Sequence, residues 1–319
     1  MKVITYGTRG SVPISNKDSV AFGGNTTCVR IKSDCIPNDL ALIIDAGSGF
    51  VPMSTDVLRE GGVKEMVVLF SHYHHDHTQG LFLSPLLFMK NIKLRLCGPV
   101  DSGIGPEEMM KDMMRPPYFP VHLKEVGSHL HYKNFDFPKT LVGLIHPKGG
   151  FQLMNVDDYE RLVAFGKHLP IGKGKYPVEE CLVVTMYKSR HPEQTISYRF
   201  EEKTTGKVFV FLTDHENEDG IPTALKKHLE NVCLLIMDSQ YPYDVYHKRT
   251  AGFGHGTADY CVKIAAEVGA KKLGLTHHDP NSTDKIVADI LNEATSNVRV
   301  QGKSKISIFA CADYQEIEV

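Results

Sequence analysis

Ser71-His72-Tyr73-His74-His75-Asp76-His77 is the stretch on which the reading of this chain turns. It follows the apolar run Met66-Val67-Val68-Leu69-Phe70 and leads into Thr78 and Gly80, so it reads as the loop after a strand. The spacing His-x-His-x-Asp-His turns His72 and His74 toward one side of the loop and Asp76 and His77 toward the other. Each side offers donors for one metal ion. Neutral imidazole and carboxylate suit zinc, and also manganese or iron as the carboxylate share rises. Of the 16 histidines in the chain, eight gather at four places: four in this loop, then His191, His255 and the pair His277 and His278.

Outward from the loop, short apolar runs alternate with turn residues at 3–6, 28–31, 40–44, 66–70 and 93–97. Helical spacing between 46 and 67, closed by Gly61 and Gly62, predicts a crossover helix, and strand-helix-strand order predicts an α/β fold. Further strands are expected at 182–187, 195–201, 208–212, 232–237, 271–276 and 306–310, with helices at 258–268 and 284–294. Residues 98–180 are rich in Pro and Gly, with Met109, Met110, Met113 and Met114 on a short helix whose spacing gives a core face. Within them, 143–180 carries five basic and five acidic residues, and reads as a lid or dimer arm on a single domain spanning 1–319.

The chain has 36 basic and 38 acidic side chains, a net charge of −2, and 42% hydrophobic residues. That composition supports a sizeable core and excludes both an intrinsically disordered chain and a protein that coats nucleic acid by bulk charge. Seven cysteines with no CxxC pair predict buried free thiols. The opening MKVITYGTRGSVP has no apolar stretch of signal-peptide length, and no run of 18 apolar residues occurs, so the expectation is a cytoplasmic protein without membrane contact.

HYHHDH after a strand resembles the HxHxDH signature of the metallo-β-lactamase-fold hydrolases, and further motifs of that family follow in order. His191 in SRHPEQTISYRFE is similar to the third ligand of the first metal, Asp214 in VFVFLTDHE to a bridging aspartate, and His277 in KKLGLTHHDP to the last ligand of the second. Between His277 and His278, strand alternation through Leu273 and Leu275 selects His277. The resemblance covers 6–280, with 143–180 the main part lacking a counterpart. It implies a four-layer αββα sandwich and two divalent ions, zinc, manganese or iron. One would be held by His72, His74 and His191, the other by Asp76, His77 and His277, with Asp214 shared.

Three residues bear on the branch. Histidine at 74, where flavodiiron proteins commonly have glutamate, argues against a redox iron centre. Asp214, where true metallo-β-lactamases usually carry cysteine, argues against lactam hydrolysis. Gly254-His255-Gly256-Thr257 resembles the GHST motif of ribonuclease Z and related phosphodiesterases, with glycine in place of serine. Gly7 to Pro13, Gly23 to Cys28 and Leu42 to Gly49 resemble the opening loops of that branch, and Asp45 is expected to orient a ligand histidine. The implied enzyme is a dinuclear phosphodiesterase acting on a small cyclic or nucleotide-derived phosphodiester. Hydroxide formed at the metals is the nucleophile, Asp76 is a ligand that also orients it, and His255 is the general acid. The helix beginning near 257 is expected to face the phosphate. The alternatives are a ribonuclease Z-like RNA 3′-processing nuclease, an ester, lactone or thioester hydrolase, and a metal-bound accessory protein without hydrolysis. The balanced charge of 143–180 favours a small substrate over RNA, and a homodimer is an open expectation.

Overall fold

The structure is a computed structural model that describes residues 1–137, 141–300 and 306–319, with no account of the side chains of 297–300. The first half runs β1 (Lys2–Gly7), β2 (Cys28–Lys32), β3 (Leu40–Ile44), α1 (Phe50–Glu60), β4 (Glu65–Leu69), α2 (His75–Phe82), β5 (Lys93–Pro99), α3 (Pro106–Met113) and β6 (His129–Phe135). The middle adds β7 (Leu141–His146), β8 (Gly150–Asn155), α4 (Val156–Ala164), β9 (Leu169–Ile171) and β10 (Gly174–Tyr176). Next come β11 (Leu182–Lys188), β12 (Ile196–Glu202), β13 (Lys207–Leu212), α5 (Thr223–His228), β14 (Leu234–Asp238) and α6 (Tyr243–Val245). The chain closes with α7 (Ala258–Val268), β15 (Lys272–Thr276), α8 (Asp284–Val300), β16 (Ser307–Ala310) and β17 (Gln315–Glu318).

These strands form a seven-stranded sheet ordered β17-β1-β2-β3-β4-β5-β6 and an eight-stranded sheet ordered β16-β15-β14-β13-β12-β11-β7-β8, with β9 and β10 as a separate hairpin. Alternation along each strand explains the layers, because successive side chains leave opposite faces. In β3, Leu40, Leu42 and Ile44 enter the core between the sheets, while Ala41 and Ile43 pack outward with Phe50 and Met53 of α1. In β13, Phe209 and Phe211 face that same inner core, while Val208, Val210 and Leu212 meet Leu225 of α5 and Ile264 of α7. Both faces of each sheet are therefore covered, which is why the strands read as nearly unbroken apolar runs. The result is the expected four-layer αββα sandwich, and no helix among the described residues is long and apolar enough to cross a membrane.

The segment 98–180 is more regular than its composition suggested. Met109, Met110 and Met114 are buried against the outer face of the first sheet, as helical spacing predicted. The boundary at 143 falls inside β7, a strand of the second sheet, and β7, β8, α4 and the β9-β10 hairpin share a small core of Val142, Leu144, Leu169, Ile171, Cys181 and Val183. The segment is thus built into the sheet edge. The β6 run His129 to Phe135 escaped prediction because its side chains are mostly polar and half-exposed, as suits an edge strand.

One buried histidine away from the strand ends makes the fold acid-sensitive. His228 lies buried at the end of α5 with Nε2 at 3.0 Å from the Ser197 hydroxyl; burial first, then Arg199, push its pKa down to about 3. A depressed histidine contributes its full share of stability above pH 6.5 and loses it as pH falls toward the folded value. Urea denaturation of the wild type is therefore expected to lose stability faster than His228→Gln, by about 1.4 kcal/mol per pH unit between roughly pH 6 and pH 4. Equal slopes would remove His228 from the acid response.

Candidate metal centre

All the parallel strands that converge here end on the same edge of the sandwich, and five of their ends carry a polar residue turned into one cleft. Asp45 follows β3, the Ser71 to His77 loop follows β4, Asp214 follows β13, Asp238 ends β14, and His277 follows β15. His191 comes from the loop after β11. Ser11, Asp45, Asp214 and His277 all have left-handed backbone, with φ of 62°, 57°, 49° and 62°. Non-glycine residues rarely occupy this region, and their gathering at one edge marks a site where the chain bends sharply to aim side chains.

Three groups of donors gather here: His72, His74 and His191 with Asp214; Asp76 with His77 and His277; and an overlapping set of Asp214, His255 and His277, the donor atoms of each group lying within 4.8 Å of one another. The two oxygens of Asp214 divide between the first two. Its Oδ2 is 3.5 Å from His72 Nε2 and 3.9 Å from His191 Nε2, while its Oδ1 is 3.3 Å from His77 Nε2 and 3.4 Å from His277 Nε2. Asp76 Oδ2 stands 3.3 Å from His77 Nε2 and 3.2 Å from His277 Nε2, and accepts a hydrogen bond from the Ser11 amide at 2.7 Å. His72 Nε2, His191 Nε2 and Asp214 Oδ2 are buried without any hydrogen-bond partner. Such orphaned atoms cost about 1–3 kcal/mol each. Three of them facing one another, with a donor set of imidazole and carboxylate, fit a metal site.

The electrostatics follow from this crowding. Burial works to raise Asp214, but His277, His77 and His72 outweigh it and hold the carboxyl well below its ordinary range. Asp76 is likewise held low by His77 and His277 against burial. Burial lowers His277, yet Asp214, Asp238 and Asp76 keep it at about 9. His72, with Asp214 as its carboxylate neighbour, is nonetheless pushed well below its ordinary value by burial and by the neighbouring His77. Filling the second group with a cation therefore displaces protons from His77 and His277.

The supporting residues are as specific as the donors. Asp45 Oδ1 accepts from the Ser71 amide at 2.7 Å, and Oδ2 accepts from the Ser71 hydroxyl and from His77 Nδ1, both at 2.8 Å. The backbone has already left β15 at His277, whose Nε2 lies between Asp76 and Asp214, while His278 turns away, with Nε2 at 2.9 Å from the Cys311 carbonyl. His255 donates from Nδ1 to Asp238 Oδ2 at 2.8 Å, and its ring stacks on His277 at 4.9 Å. Gly254, at φ 93°, lies so near His191 that a Cβ would fall 2.1 Å from its Cδ2. At Gly256 a Cβ would come within 2.7 Å of the Asp238 carbonyl oxygen, which accounts for glycine where the resembling motif has serine.

At the N-terminus of α7, Thr257 Oγ1 accepts from the Tyr260 amide, and the Thr257 amide donates to Asn217 Oδ1. Residues 143–180 extend the second sheet through β7 and β8, and the residues lining the cleft come from outside that segment. Asp238 was not anticipated, although Leu234-Leu235-Ile236-Met237-Asp238 repeats the signal already present at Asp45 and Asp214, an apolar strand ending on aspartate. Glu216 was also missed. It is buried and accepts from the Gly254 amide at 2.6 Å, which pins the glycine turn that carries His255.

No family model matches the chain. Its coordinates align over 99% of its length with 99% of the metallo-β-lactamase-fold protein YhfI from Bacillus subtilis, at a TM-score of 0.60 and 18% identity. This chain has the metallo-β-lactamase fold. A similar likeness, TM-score 0.63 at 13% identity over 100% of this chain and 99% of the other, relates it to unliganded yeast PDE1. In sequence it is 25% identical over 295 residues to ribonuclease Z of Halobacterium salinarum, covering 87% of this chain and 86% of that protein. In this metallo-β-lactamase-fold chain the donors come from both sheets, and the cleft above them holds about 630 Å³.

Proposed function

We propose that this chain is a metal-dependent hydrolase acting on a small phosphodiester. The observation that carries the reading is the Asp214 carboxylate, whose two oxygens each face a different pair of histidines. In this reading His72, His74 and His191 hold one ion, Asp76, His77 and His277 hold a second, and Asp214 serves both. Two divalent ions there supply Lewis-acid polarisation of the phosphoryl oxygens and acidify water toward neutrality; zinc suits the histidine-rich set, with manganese or iron as alternatives.

The protein's own groups do the positioning and the proton work. Ser11 fixes the Asp76 carboxylate through its amide, so that one Asp76 oxygen is held toward His77 and His277. Asp238 fixes the His255 ring through Nδ1, leaving Nε2 to pass a proton to the departing alkoxide. The substrate class follows from the walls. The cleft is lined by Ser11, Tyr73, Pro192, Glu193, Tyr241 and Phe253 around the donors, and no lysine or arginine is among its lining residues. A polynucleotide is normally gripped by a track of cations along its phosphates, and the described residues lining this cleft include no lysine or arginine. The ribonuclease Z relative favours RNA processing as the second reading.

The test is metal analysis of the purified chain followed by turnover of cyclic nucleotides, aryl phosphodiesters and short RNAs. Small phosphodiesters should be hydrolysed by protein holding two ions. His255→Ala should lose roughly 10²–10⁴-fold in kcat on alkyl esters and far less on a nitrophenyl ester, whose leaving group departs without a proton. Salt-sensitive cleavage of transfer RNA with no turnover of small diesters would move the assignment to the nuclease. Thiol release from a thioester without diester turnover would move it to the thioesterase.

A further inference from the structure

The one large apolar side chain of the cleft that the proton and metal chemistry leaves unused is Phe253. It is 59% exposed, yet it is firmly placed. Its own amide donates to the Thr250 carbonyl at 3.1 Å, the next amide, Gly254, donates to buried Glu216 at 2.6 Å, and the glycines on either side both have φ of 93°. Those left-handed glycines fold the backbone beneath the ring and leave Phe253 standing free at the rim. The ring meets no other aromatic ring among the described residues, although it shares the cleft with Tyr73, Tyr241 and Pro192, one chain position before the Gly254 that packs on His191. A free aromatic face beside a site without lysine or arginine is built for a flat, weakly charged group. It is unsuited to a second phosphate, which would also meet Glu193.

We propose that Phe253 determines specificity by stacking on a planar base carried by the substrate, so that the substrate class is a singly charged phosphodiester of a nucleoside. The proposal rests on the phosphodiesterase reading above and narrows it. Stacking of a base on an aromatic side chain accounts for roughly tenfold or more in affinity, and any base satisfies it. The contact therefore selects for the presence of a base, with little preference among bases.

The chain contains no tryptophan, which provides a readout that needs neither turnover nor metal. Phe253→Trp would place the sole indole of the protein at the cleft rim. Titration with adenosine 5′-monophosphate should quench its emission saturably, while ribose 5-phosphate at the same concentrations should not. In turnover, the metal-loaded wild type should favour adenosine 3′,5′-cyclic phosphate over the abasic ribose 3′,5′-cyclic phosphate. Phe253→Ala should collapse that ratio of kcat/KM by about tenfold, and Phe253→Trp should preserve it. Equal quenching by the two monophosphates, or an unchanged ratio in Phe253→Ala, would overturn the stacking proposal while leaving the phosphodiesterase reading intact. Base-dependent quenching by a protein that turns over no phosphodiester would support stacking and overturn the reaction.

Discussion

Asp214→Ala is expected to hold no more than one ion per chain and to lose roughly 10³-fold in kcat/KM, because several kcal/mol of transition-state stabilisation depend on both ions acting together. The reason lies in the division of its two oxygens, 3.5 Å from His72 on one side and 3.3 Å from His77 on the other. Among the described residues no other carboxylate reaches both groups: Asp76 faces the second, Glu193 approaches His74 and His191 of the first at 3.4 and 3.2 Å, and Asp238 is engaged by His255. Asp214→Asn keeps the size and an acceptor for the Thr213 hydroxyl, which lies 2.8 Å from Oδ1, so it separates lost charge from lost packing. Elemental analysis and steady-state kinetics on both variants check the claim. Two ions per chain with near-normal activity in Asp214→Ala would refute the bridging role.

The second large effect is on stability. Asp45 is completely buried and satisfies the Ser71 amide, the Ser71 hydroxyl and His77 Nδ1. Burial raises its carboxyl above the ordinary range against the pull of His77, while Asp76, Asp214 and Asp45 all raise His77 against its own burial. Asp45→Ala removes the acceptor of three buried donors and is expected to destabilise the metal-free chain by about 3 kcal/mol. It should also weaken metal binding roughly 10–100-fold, because His77 loses the partner that fixes its ring. Urea denaturation in chelator, paired with zinc titration, measures the two effects separately. A variant within about 0.5 kcal/mol of wild type would show that Ser71 and His77 hold their places unaided.

Much of this architecture could be read from residue order alone. The strands at 40–44 and the helix at 258–268 were located to the residue, since both are bounded by turn or capping residues and carry uninterrupted apolar periodicity. The donors were legible because ligand chemistry restricts residue type: histidine and aspartate directly after apolar strands have few other reasons to gather. What stayed hidden was whatever depends on distant pairing. β7 and β8 are held by β11 and by each other, and the edge strand β17 is fixed by β1, a partner more than 300 residues away in sequence. Asp238 and Glu216 were hidden for a related reason. Each acts by holding the turn that bears His255, a relation with no characteristic spacing.

The division of donors between the sheets has a mechanical side. His72, His74, Asp76 and His77 ride on the loop and helix after β4 of the first sheet, while His191, Asp214 and His277 ride on the second. Ions bound between them would act as rivets across the seam of the sandwich. With the rivets in, the halves can come apart only by breaking coordination bonds, so the chain should unfold as a single block. With them removed, five imidazoles and two carboxylates are left to hold the seam at this edge, and the sheets gain freedom to shear there while the apolar interior stays closed.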